Sequence, residues 1–251
     1  MRLGVAQEEW NLDPIILAQG GLQTAETIDD LTNRLAGKAL HVFEAERTLL
    51  HQRDPDLGIG DIEFLVTQTR RVAASAYAHG GRQAVIISTG LLNLLWRQVA
   101  VAAHLSTVLP EAHPHRGALP EWCHDANVPV PDWDEWQVAE ERAEYLVEIF
   151  FHMLAYVIDH EIAHHVRRHL VLMRAATGLA LATDGASGPM TPEMAPLMQD
   201  IEFDADAGAL NNMLLSTDQS QPFERDWHID MALEQARRSR ILVGCRSRSN
   251  S

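Results

Sequence analysis

Two histidines one helical turn apart, with a glutamate beside the first, stand at His160-Glu161-Ile162-Ala163-His164. On a helix, residues i and i+4 share a face, so both imidazoles can reach one ion. Zinc takes neutral imidazole nitrogen at about 2.0–2.1 Å, and a catalytic zinc keeps one position open for water. Glu161 is rotated about 100° from His160 round the helix. That removes it from the same coordination sphere but leaves it in reach of a water on the ion. The chain holds 13 histidines, so the pattern alone also fits a pair of ordinary core or surface histidines.

A second pattern lies downstream at Glu202-Phe203-Asp204-Ala205-Asp206. Glu202 and Asp206 are again i and i+4 and share a face. A site with two histidines needs a third protein ligand, and a carboxylate is a standard one. A metal-bound histidine also wants a partner on its outer nitrogen, commonly a carboxylate, to fix tautomer and ring orientation. One helix carrying Glu202 and Asp206 can supply both. The plain alternative is an acidic solvated face. The two patterns together, each on its own helix, favour a metal site.

The elements that must carry these residues are mostly helical. Residues 140–177 give the longest helical pattern, with Glu140, Glu141 and Glu144 suited to its start and Arg167, Arg168 and Arg174 to its end. Residues 192–215 predict the helix that carries Glu202. Further helices are expected over 24–51, with Gly37 as a weak point, and over 62–78, 91–108 and 229–242. The run Ala84-Val85-Ile86-Ile87-Ser88, between Gly81 and Gly90, reads as a strand. Residues 53–61 read as a turn, and 183–192 as a flexible break. Residues 109–139 hold Pro110, Pro114, Pro120, Pro129 and Pro131 and predict a long loop. Its His113, His115, Cys123 and His124, with His104, fit no standard structural zinc spacing, so a lid or surface loop is the better reading. The class expected is α+β, mostly helical with a small sheet. One domain over 1–251 is expected, with a helical lead-in over 1–60 and a core over 83–215 interrupted by the loop 109–139.

Bulk properties narrow the function. The formal net charge is -15. Nucleic-acid binding needs a basic face, and the one basic cluster is Arg237, Arg238, Arg240, Arg246 and Arg248 near the C-terminus. No nucleic-acid partner is expected. Two cysteines, Cys123 and Cys245, are too few for a disulfide scaffold. No window reaches the 18 or so apolar residues of a membrane span. A soluble, cytoplasmic protein is the expectation.

Three segments resemble the gluzincin metallopeptidases, most closely the HtpX and CAAX-prenyl-protease type. VIISTGLL (85–92) is similar to the family's strand and Gly-Leu-Leu helix start. HEIAHHVRRH (160–169) is similar to its metal helix, including the later His169. EFDADAGAL (202–210) resembles its Glu-x-Glu-Ala-Asp segment, with Asp204 in place of the middle Glu. The resemblance spans about 83–210 and implies a zincin-like domain. It implies that His160, His164 and Glu202 bind Zn2+, that Glu161 is the general base, and that Asp206 is an outer partner. It implies a protein or peptide substrate, and a strand near Val85–Ser88 lining the cleft and pairing with that substrate. The chain departs from the family's membrane members in having no apolar span, and in inserting 109–139 before the metal helix. His165, His169, Tyr145 and Tyr156 stay open as oxyanion donors. Two other classes compete: a metal-binding regulator or inactive peptidase homologue, against which Glu161 argues, and a helical binding module without metal.

Overall fold

Side chains of period two dominate 62–88, and two buried faces claim them. In the computed structural model, which describes residues 10, 13–22, 30–104, 121, 140–177, 181–183 and 194–217, this stretch forms three strands: β1 (Ile62–Thr67), β2 (Ala74–His79) and β3 (Arg82–Ser88). The helix expected over 62–78 is therefore replaced by β1 and β2. Gly80 and Gly81, with φ of 60° and 83°, form a two-residue hairpin turn between His79 and Arg82. Positive φ at both central residues matches the twist of the flanking strands. These glycines close a hairpin instead of stopping a helix.

A short fourth strand, β4 (Leu181–Thr183), completes the sheet in the order β1-β3-β2-β4. β3 runs parallel to β1 and antiparallel to β2, and β4 is antiparallel to β2. The strand expected at 84–88 is thus present but central. Both of its edges are taken, so it cannot pair with an extended substrate as the family resemblance implied. Only an edge strand can accept another chain.

Helices cover one face of the sheet: α2 (Asp30–Arg53), α3 (Thr89–His104) and α4 (Glu140–Val166). Val85 and Ile87 of β3 join Phe43, Leu92, Trp96, Leu146, Phe150 and Ile158 in that core. Fully burying one such side chain contributes about 1.5–3 kcal/mol. Ala84 and Ile86 point the other way, toward Trp10, Ile16, Leu22, Leu65 and Tyr77. Ile16 lies on α1 (Pro14–Ala18), which Asp13 caps by accepting from Ile15 N at 2.8 Å. The second Asp13 oxygen accepts from the Tyr77 hydroxyl at 2.7 Å. Glu63 of β1 takes a two-pronged bond from Arg82 at 2.9 Å. The Arg82 guanidinium lies 4.2 Å from the Trp10 ring centroid. The lead-in is thus pinned to the sheet by a cap, an ion pair and a cation–π contact.

The helical pattern of 140–177 divides into α4 and α5 (His169–Thr177). The chain also divides into two compact units, Met1–Pro189 and Met190–Ser251. The described part of the second unit is α6 (Ala195–Thr217), which buries Met198, Ile201, Ala205, Ala209 and Met213 along one stripe. The architecture is α+β, mostly helical with a small mixed sheet. No described helix is long and apolar enough to cross a membrane. The loop expected at 109–139 (apart from Glu121), the break expected at 183–192 (apart from Thr183), the helix at 229–242 and the C-terminal arginines lie outside the described residues.

The junction from β3 to α3 explains the sequence Ser88-Thr89-Gly90. The Ser88 hydroxyl accepts from Leu91 N at 3.0 Å, capping α3, and donates to the Arg71 carbonyl at 2.6 Å. Gly90 N donates to the Thr69 carbonyl at 3.0 Å. A Cβ at Gly90 would meet the Arg70 and Arg71 carbonyl oxygens, the latter at 2.5 Å. Backbone oxygens cannot swing aside as a long side chain can. Gly90→Ala is expected to cost about 1–3 kcal/mol or more, measured by urea denaturation. An unchanged midpoint would contradict the close packing at this junction.

Candidate metal centre

α4 is the helix around which the first unit is built. Leu146, Phe150, Leu154, Ile158 and Ile162 recur at i+4 and are each 1% exposed or less. The same helix buries Asp159, His160, Glu161 and His164. Taking such groups from water is costly unless partners satisfy them. Ionisable side chains at this depth therefore need a reason to be there.

The imidazoles supply part of it. His160 Nε2 and His164 Nε2 lie 3.1 Å apart, with ring centroids at 4.9 Å. Two ligands at 2.0–2.1 Å on a tetrahedral ion sit about 3.3 Å apart, so the pair already has ligand spacing. The i, i+4 reading of His160 and His164 holds on the observed helix.

Glu202 and Asp206 lie one turn apart on α6, both half-buried. His160, His164 and Glu202 each offer a ligand atom, and these atoms all lie within 4.8 Å of one another. Among the described residues, these three form a group that could hold a metal ion. Two imidazole nitrogens and a carboxylate oxygen are the donor set that zinc accepts at catalytic sites. Glu161 is 2% exposed and belongs to the same turn of α4 as His160.

Two neighbouring histidines separate clearly. The His165 ring donates from Nε2 to the Ala84 carbonyl at 2.9 Å, tying α4 to β3. Burial pushes its pKa down to about 4, with the bond to Ala84 acting in the opposite sense. His165 is thus a neutral strut whose Nε2 proton is committed to the sheet. His169 is 4% exposed, and its Nδ1 lies 3.1 Å from His164 Nδ1.

This second contact depends on a backbone feature that the sequence does not announce. α4 ends at Val166, and Arg168 adopts φ 58°, the left-handed region. Arg168 N donates to the His165 carbonyl at 3.1 Å, and the Arg168 carbonyl accepts from Val171 N at 3.0 Å. One residue therefore closes α4 and opens α5. Arginine carries no preference for that conformation, whereas glycine does.

No family model, curated protein or solved structure matches this chain.

The strained turn gives a direct prediction. Arg168→Val puts a β-branched residue at positive φ and is expected to cost roughly 1–3 kcal/mol. Arg168→Gly is expected to be neutral or slightly stabilising. Thermal denaturation of the two variants beside the wild type checks the order. Equal stability of the valine and glycine variants would contradict the left-handed turn.

Proposed function

We propose that this chain is a zinc-dependent endopeptidase of gluzincin type, with a zincin-like catalytic core. The observation that carries the proposal is the convergence of His160, His164 and Glu202, with Glu161 on the same helical turn. The donor set fits zinc, and the carboxylate beside it is what separates a hydrolytic site from a structural one.

The roles follow from position. His160 and His164 hold the ion through Nε2, and Glu202 through a carboxylate oxygen. When bound, the zinc supplies Lewis acidity, which acidifies a water and polarises a scissile carbonyl. The Glu161 carboxylate takes the proton of the attacking water and later returns it to the leaving amine. Asp206, one turn from Glu202, is proposed to orient a site ligand from outside. The substrate is a protein or peptide.

Glu161→Gln separates holding a metal from using it. The variant is expected to bind zinc as tightly as the wild type and to lose hydrolysis of an unfolded protein such as casein by about 10²–10⁴-fold. Full hydrolysis by this variant would remove Glu161 as the base. Zinc-loaded wild-type protein with no hydrolysis of casein or of a random peptide library would favour a metal-binding regulator.

A further inference from the structure

The histidine cluster has three members, and the zinc reading uses two. His169 is buried, and its ring meets His164 edge-on with centroids 5.1 Å apart at 73°. The contact runs from Nδ1 to Nδ1 at 3.1 Å, on the side of the His164 ring opposite the nitrogen that faces His160. His164 thus presents one nitrogen to the ligand group and the other to His169.

We propose that His169 is a positioning residue, accepting a hydrogen bond at Nδ1 from the Nδ1–H of His164. The inference rests on the zinc-site reading above. A neutral imidazole carries its proton on one nitrogen only. With that proton held at Nδ1 of His164, Nε2 keeps its lone pair for the ion. The same bond fixes the ring's rotation about its own axis. His169 then carries its own proton on Nε2. It does for His164 what a carboxylate or carbonyl does for most metal-bound histidines.

The backbone argues that this contact is built. On an unbroken helix, position 169 would sit about 140° round from position 164, off the face that carries the ligands. The left-handed Arg168 ends α4 and restarts the chain as α5 at His169. That reversal turns the His169 ring back onto His164. Backbone strain of this kind costs on the order of 1–3 kcal/mol and persists where surrounding structure requires it.

The test uses full-length protein and zinc alone. Zinc affinity is measured by competition with a chromogenic chelator for wild type, His169→Leu and His169→Asn. Ring protons are assigned by long-range proton–nitrogen NMR on the zinc-loaded forms. Asparagine keeps an acceptor near the position of Nδ1, and leucine keeps bulk without one. Wild type is expected to show a hydrogen-bonded proton on His164 Nδ1. His169→Leu is expected to bind zinc about 10–100-fold more weakly, and His169→Asn to recover most of that loss. Wild-type affinity in His169→Leu would overturn the assignment. So would a zinc-loaded wild type with the His169 proton on Nδ1, a readout that survives even if the leucine variant does not fold. Failure of the wild type to take up zinc would overturn the metal reading first, and this assignment with it.

Discussion

Five ionisable side chains within 159–169 lie buried in a helical core, and that burial is the constraint to which the rest of the structure answers. Asp159, His160, Glu161, His164 and His169 are each 8% exposed or less. A lone buried charge is costly, so such groups persist only when they are bonded to one another or to an ion. Here the imidazoles run in a chain, His160 to His164 to His169, with 3.1 Å at each step. A cluster of this kind adds little to stability that apolar residues of the same size could not supply. Its imidazole nitrogens are of a kind that suits a divalent cation.

The surrounding elements hold that cluster still. α4 is fixed along its length by apolar packing against α2 and α3. His165 ties it to the central strand through the Ala84 carbonyl. That strand is itself immobilised by pairing on both edges and by buried side chains on both faces. Ser88 and Gly90 then set where α3 leaves the sheet. Sites mounted on rigid helices and strands keep their geometry better than sites on loops.

What was legible in the sequence was what depends on short spacing. His160 with His164, and Glu202 with Asp206, are i, i+4 pairs, and helix geometry turns that spacing into a shared face without further information. The mostly helical α+β class and the strand at 84–88 were also legible. The hairpin of β1, β2 and β3 was not. Ile62, Leu65 and Val66 fit a helical and a strand period equally well over so few residues, and the Gly80-Gly81 pair can end a helix or close a hairpin. Non-local pairing placed β3 in the middle of the sheet. His169 was visible as the last residue of the HEIAHHVRRH segment and as an open oxyanion donor, but its contact with His164 was not, because that contact needs a left-handed Arg168, a conformation that arginine does not advertise.

The central claim is that the convergent side chains hold one metal ion. Native mass spectrometry of the purified chain, after dialysis against trace zinc, measures this directly. The account predicts one zinc per chain in the wild type, lost in His164→Ala and strongly reduced in Glu202→Ala. A folded wild-type chain that takes up no zinc would contradict it, as would a His164→Ala variant that keeps its zinc.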